Sequence, residues 1–230
     1  MNRTALVTGG TGGLGTAVVG RLLEDGWRVV VPWVAERELE RLERRPGLEL
    51  VEADLFASEA VGEVVATAAR ERDAPLLGVV NLVGGFATGG RVHETPIEEF
   101  EAQFRMNLRP TYLVTQAALA HLLAAGSGSI VCVGTRAAVR PFPGAAGYVS
   151  SKAAVLAFVN ALAVEYRDDL IRANAILPSV IDTPGNRAAT PDADFERWVK
   201  PTEIAAVIAF LLSDDSAPTS GAAIPVYGRA

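Results

Sequence analysis

Apolar residues come in short blocks along the chain: TALVT (4–8), WRVVV (27–31), LELVEA (48–53), LLGVV (76–80), SIVCV (129–133), IRANAIL (171–177) and AAIPVY (222–227). Most lack strict polar alternation, which is the pattern of strands covered on both faces of a parallel sheet. Between them, stretches near 14–25, 36–45, 58–73, 97–124, 148–167 and 202–213 have helical patterning. TPIEEF (95–100) reads as a helix start, with Thr95 as the cap, Pro96 in the first turn and Glu98 closing a capping box. Regular alternation of strand and helix predicts an α/β fold, a doubly wound parallel sheet with right-handed crossovers and helices on both faces. No repeat, low-complexity tract or linker interrupts it, so one domain is expected over 1–230.

Composition narrows the function. Half of the residues are hydrophobic and 21% are charged, as in a compact globule long enough to bury a full core. The net charge of −6 disfavours nucleic acid, which needs a concentrated basic face. The densest charge cluster, ERELERLERR (36–45), mixes both signs and reads as a solvated helix face. A single cysteine, Cys132, excludes an internal disulfide and reads as a buried strand residue in a reducing compartment. The first residues enter folded structure without a signal-peptide pattern, and no apolar segment is expected to reach the ~18–20 residues of a bilayer span. The expectation is therefore a cytoplasmic protein with no membrane partner. His93 and His121 lack neighbours at metal-ligand spacing, so no metal site is expected.

A doubly wound sheet binds its ligand at the carboxyl ends of its strands, where strand order reverses. After the first strand comes TGGTGGLG (8–15), whose glycines permit a tight turn and close approach of a phosphate to a helix N-terminus. Gly10, Gly12 and Gly15 fit G-x-G-x-x-G, while Gly9, Gly13 and Gly15 fit T-G-x3-G-x-G. Either register, placed between first strand and first helix, indicates dinucleotide binding on a Rossmann fold. EADLF (52–56) offers Asp54 as an acceptor for an adenine amino group or as a helix cap. NLVGG (81–85) brings an amide and two glycines to the same crevice, and GTRAA (134–138) brings the Thr135 hydroxyl. Tyr148 and Lys152, four residues apart at the start of the next helix, share one helix face. A phenol beside a fixed cation can release its proton more readily than usual.

The T-G-x3-G-x-G register with Y-x3-K resembles the short-chain dehydrogenase/reductase family over nearly the whole chain. The resemblance implies a catalytic set of Asn107, Thr135, Tyr148 and Lys152, with Thr135 standing where the family usually has serine and Gly134 relieving its extra methyl. It implies that Tyr148 is the acid and base, that Lys152 lowers its pKa and bonds the nicotinamide ribose, and that Asn107 anchors a water from the middle of a long helix. In NLVG (81–84) Leu82 replaces the second asparagine of the family's N-N-A-G, and in NAILPSVIDT (174–183) Ser179 replaces a glycine. Cofactor contacts are implied for the glycine loop (Gly9, Thr11, Gly12, Gly13, Leu14, Gly15) and for Asp54 and Leu55. They are implied as well for Asn81, Val83 and Gly84, for Tyr148 and Lys152, and for Pro178, Ile181 and Thr183 at the nicotinamide. Trp198 falls in the family's substrate lid, here short and poor in apolar residues, which suggests an open site.

The resemblance places Trp33 and Val34 at the adenosine ribose, so the acid of NAD-preferring members and the bases of NADP-preferring members are both missing. Arg37 is assigned to the solvated helix. The cofactor expected is NAD(H) or NADP(H), leaning to NAD(H) with dual use. The expected activity is hydride exchange with a small carbonyl or secondary alcohol. The alternatives are a 3-oxoacyl carrier-protein reductase, with Arg136, Arg140 and Arg172 meeting an acidic carrier, and a non-catalytic dinucleotide-binding regulator. The family's assembly and the apolar circumference of AAVLAFVNALAV (153–164) suggest a homotetramer, or failing that a dimer.

Overall fold

The structure, a computed structural model, describes residues 2–229. Seven strands form one parallel sheet in the order β3-β2-β1-β4-β5-β6-β7. They are β1 (Thr4–Thr8), β2 (Arg28–Trp33), β3 (Leu48–Glu52), β4 (Leu76–Asn81), β5 (Gly128–Val133), β6 (Ile171–Pro178) and β7 (Ala223–Val226). Every ladder is parallel. The central β1 is buried at all five positions, as its unbroken apolar run requires. The outer β7 alternates exposed and half-buried residues and includes Pro225, which suits an edge strand.

The helices are α1 (Gly15–Glu24), α2 (Ser58–Ala69), α3 (Ile97–Asn107), α4 (Arg109–Ala125), α5 (Ala146–Glu165), α6 (Pro184–Ala189) and α7 (Pro201–Leu212). On one face of the sheet, Val64 of α2, Leu122 of α4 and Val159 of α5 pack over Leu6, Val30 and Ile130. On the other, Leu22 of α1 and Ile204, Ile208 and Leu211 of α7 cover Val7, Val29 and Val131. Strand order reverses between β1 and β4, which opens the crevice beside the ends of those strands.

Five sequence expectations are corrected. The stretch 97–124 is two helices, because Pro110 cannot donate a backbone hydrogen bond and the chain breaks at Leu108. Thr95 does not cap α3; its hydroxyl turns back to the carbonyls of Gly90 (3.2 Å) and Arg91 (3.1 Å). The stretch 36–45 is a 3-10 segment at Glu36–Arg41, with Leu42 buried behind it. An unexpected helix, α6, follows β6, with the Thr183 hydroxyl accepting the Asn186 N–H at 3.2 Å and Pro184 at its start. Finally, α5 is long and apolar enough to cross a membrane by length and composition, because alanines extend its leucines and valines into one 20-residue helix. It is nevertheless a helix of the core on one side, with Val155, Val159 and Leu162 buried against the sheet.

Candidate functional site

The glycine loop sets one wall of the crevice. The Gly12 N–H donates to the Gly9 carbonyl at 3.0 Å, closing a turn so tight that a Cβ at Gly15 would overlap that carbonyl oxygen. Gly9 has φ of +65° and its missing side chain lets the loop lie against the backbone of Leu82 and Val83. No side chain caps α1 and no acid stands in its first turn, so its positive end is left to a ligand phosphate. These features fit a dinucleotide.

Sequence reasoning overlooked what steadies this loop. The Thr11 hydroxyl donates to the Glu38 carboxylate at 2.7 Å, and Arg41 donates to the Thr11 carbonyl at 3.3 Å while pairing with Glu38 at 3.4 Å. Glu38 and Arg41, rather than Arg37, therefore reach from the mixed-charge segment to the glycine loop. Trp33 is half-buried, Val34 is exposed, and neither carries charge. The alternating signs looked like an ordinary solvated face, and only the tight 3-10 winding turns these two inward.

Beyond β3, Asp54 is exposed and accepts the Phe56 N–H at 2.9 Å, a local turn that is not the cap of α2; Leu55 is buried in the core. Asn81 does not offer its amide to the crevice. It points inward at the end of β4, donating to the Thr115 hydroxyl (3.1 Å) and toward the Cys132 sulfur (3.7 Å), with its Oδ1 buried and unpartnered among the described residues.

Asn107 sits at the last turn of α3, where the chain breaks, and not in mid-helix. Its oxygen accepts the Gly85 N–H (2.9 Å) and its nitrogen donates to the Ser151 hydroxyl (3.1 Å). Its side chain ties the loop after β4 to α5. A Cβ on Gly84 would lie 2.7 Å from the Asn107 oxygen and 2.9 Å from the Lys152 Nζ. Glycine there keeps open the space into which both groups point.

Lys152 and Tyr148 lie one turn apart on α5. The Lys152 ammonium donates to the Val133 carbonyl at 3.0 Å, and burial pulls its pKa down to about 8. Tyr148 is half-buried, and desolvation raises its pKa above the ordinary phenol value while the Thr135 side chain pulls it partly back. Desolvation is the larger influence on the phenol, and the ammonium's own bond goes to a backbone carbonyl. Thr135 is buried just beyond β5, where its hydroxyl oxygen accepts the Ala137 N–H at 3.2 Å and its O–H can serve as a donor beside Tyr148. A side chain at Gly134 would strike Leu177 and Leu156, so packing demands the glycine. Cys132, behind this set, has its thiol pushed up to about 11 by burial and stays protonated at neutral pH.

On the far side, Pro178 ends β6 and the chain turns through Ile181, bridged to Val199, to Thr183. A Cβ on Gly13 would meet the Thr183 methyl at 2.8 Å, so this segment lies directly against the glycine loop. The lid segment is ordered by its own contacts. Arg187 pairs with Asp182 and stacks over Phe195 at 4.7 Å, and Trp198 is buried beside Phe195. Thr183-Pro184, a cap followed by proline, was the sequence signal for this helix. Two further aromatic residues extend from Tyr148: Phe86 packs on its ring, and Phe142 lies beyond Phe86. Of the three arginines suggested for an acidic carrier, Arg172 stands apart from the other two. Arg172, near the start of β6, donates to the Leu211 and Ser213 carbonyls at the opposite end of the sheet, while Arg136 stacks on Tyr227.

Comparison with known proteins agrees with this geometry. A family model described as enoyl-(acyl carrier protein) reductase matches residues 9–228. The 2-(R)-hydroxypropyl-CoM dehydrogenase of Xanthobacter autotrophicus is 30% identical over 246 aligned positions, covering 99% of this chain and 98% of that one. A short-chain type dehydrogenase/reductase from Mycobacterium ulcerans superimposes with a TM-score of 0.91 at 26% identity, covering 100% of this chain and 90% of that one. An NAD+-bound xylitol dehydrogenase does so at 0.87 and 26% identity, covering 99% and 98%. The chain belongs to the short-chain dehydrogenase/reductase family and is an oxidoreductase that works with a nicotinamide dinucleotide.

Proposed function

We propose that Tyr148 exchanges the proton with the oxygen of a small carbonyl or secondary alcohol, with Asn107, Thr135 and Lys152 completing the catalytic set. The observation that carries this reading is the Tyr148 phenol beside the Thr135 side chain, one helical turn from the buried Lys152 ammonium. When bound, the nicotinamide supplies or accepts the hydride. Thr135 would hold the carbonyl oxygen as negative charge develops, and Tyr148 would protonate it. Lys152, cationic below about pH 8, would favour charge on the phenolate side and bond the ribose. Asn107 acts as a positioning residue through Gly85 and Ser151. Cofactor contacts are proposed at Gly9, Thr11, Gly12, Gly13, Leu14 and Gly15, at Trp33 and Val34, and at Asp54 and Leu55. Further contacts are proposed at Asn81 (through its backbone), Val83 and Gly84, and at Pro178, Ile181 and Thr183.

The choice of cofactor leans to NAD(H). No basic side chain stands at Trp33, Val34 or Gly12, and the Glu38 carboxylate beside Thr11 would repel a 2′-phosphate. The chain is proposed to act in the cytoplasm, where a buried free thiol such as Cys132 persists. A carrier-bound acyl thioester is less well supported, since Arg172 lies at the opposite end of the sheet from Arg136 and Arg140.

The decisive experiment is Tyr148→Phe, followed by nicotinamide absorbance with a panel of carbonyls. Turnover should fall below about 1% of the parent, the loss expected for a positioned proton donor. Cofactor affinity should be unchanged. Turnover retained by the phenylalanine variant would overturn the assignment, and a parent that binds cofactor without turning over any carbonyl would make the protein a sensor.

A further inference from the structure

We infer that the substrate carries an aryl or other bulky uncharged group next to its carbonyl, and that Phe86 and Phe142 receive that group; this rests on the role proposed for Tyr148. The Phe86 ring stands edge-on to Tyr148, with centroids 5.0 Å apart and planes at 85°. Phe142 continues the surface, 6.4 Å from Phe86. Three rings thus run outward from the phenol that meets the reacting oxygen.

These rings are not core residues. Phe86 is 65% exposed and Phe142 43%, and Val139, on the same loop as Phe142, is 51% exposed. A lone exposed hydrophobic residue means little, but rings from two loops in series, Phe142 on Phe86 and Phe86 on Tyr148, make a patch that leads to the site. The loops also lack charge. GGFATGG (84–90) and PFPGAAG (141–147) contain no ionisable side chain and a single hydroxyl, that of Thr88. The nearest cations along the chain, Arg91 and Arg140, lie just outside them and are exposed. A carboxylate or polyol pressed on this wall would give up water and gain almost no hydrogen bond in return.

The wall is built before any substrate arrives. The Gly89 N–H donates to the Gly144 carbonyl at 2.9 Å, joining the two loops. Gly144 has φ of +80°, and a Cβ there would lie 2.6 Å from the Gly89 carbonyl oxygen. Pro141 and Pro143 restrict the backbone on both sides of Phe142, and Asn107 holds Gly85 beside Phe86. A preformed aromatic surface loses little conformational entropy when a flat group stacks on it.

The test compares kcat/KM for acetophenone and benzaldehyde with that for acetone, dihydroxyacetone and pyruvate, in the parent and in Phe86→Ala and Phe142→Ala. The aryl compounds should be preferred, and each substitution should lower their kcat/KM by about tenfold while acetone and cofactor affinity stay level. A preference for pyruvate or dihydroxyacetone would overturn the inference and leave the proton role of Tyr148 standing. An equal loss on every substrate would also overturn it, making the rings structural. Acetophenone binding to the cofactor complex, followed by ligand-observed NMR, separates the two readings. Binding that depends on Phe86 without turnover would uphold the wall and refute the reductase. No binding and no turnover would refute both.

Discussion

Tyr148 holds its proton at neutral pH because burial outweighs the help it receives from Thr135. That state suits protonation of a substrate oxygen, whereas alcohol oxidation needs the phenolate. Carbonyl reduction should therefore be level through neutral pH and decline as Lys152 loses its charge near pH 8, while oxidation climbs with pH. Thr135→Val deletes the bond that pulls the phenol down, so the rising limb of oxidation should move to higher pH. Profiles of kcat/KM in both directions would show it, and an unmoved limb would place Thr135 outside the proton path. At this scale the sequence was a good guide to identity and a poor one to environment. The spacing of Tyr148 and Lys152 was legible because four residues are one helical turn. The partner of the ammonium was not, since Val133 reaches it only after β5 and α5 have packed. Asn81 misled for the same reason: its strand position was right, but the partners that turn it inward, Thr115 and Cys132, lie 34 and 51 residues away.

Among the elements, strands and long helices were readable from apolar runs, and the errors gather where one polar contact or one proline decides. Pro110 divides a continuous apolar pattern into α3 and α4 and so puts Asn107 at a helix end, within reach of Gly85. The short segment Glu36–Arg41 carried no periodic signal for the inward turn of Glu38. That connection is also where cofactor choice should be tunable. Glu38→Gln removes a carboxylate beside Thr11 and frees Arg41 from its partner. Relief of roughly 1 kcal/mol of like-charge repulsion at a solvated site would raise kcat/KM for NADPH about fivefold, with NADH little changed. Measuring both cofactors with one substrate checks this. A parent enzyme already a hundredfold better with NADPH would refute the lean to NAD(H).

Across the whole molecule, the sheet was legible from strand–helix alternation alone, and its order places glycine loop and phenol on either side of one crevice. The outer face of α5 was legible too, as apolar residues in excess of one core-facing stripe. Val164 is 67% exposed there, and Tyr112 of α4 pairs with Phe158 of α5 at 5.6 Å on the same flank. We expect two or four copies to cover this surface; light scattering at micromolar concentration should give a dimer or tetramer, and a stable monomer would reject both. The helix that would be clasped between copies is the one whose opposite side holds Tyr148 and Lys152. If so, the reaction chemistry is braced from outside the subunit. Specific activity should then depend on how concentrated the protein is, fading in very dilute assays and returning when a crowding quantity of inactive Tyr148→Phe subunits is mixed in.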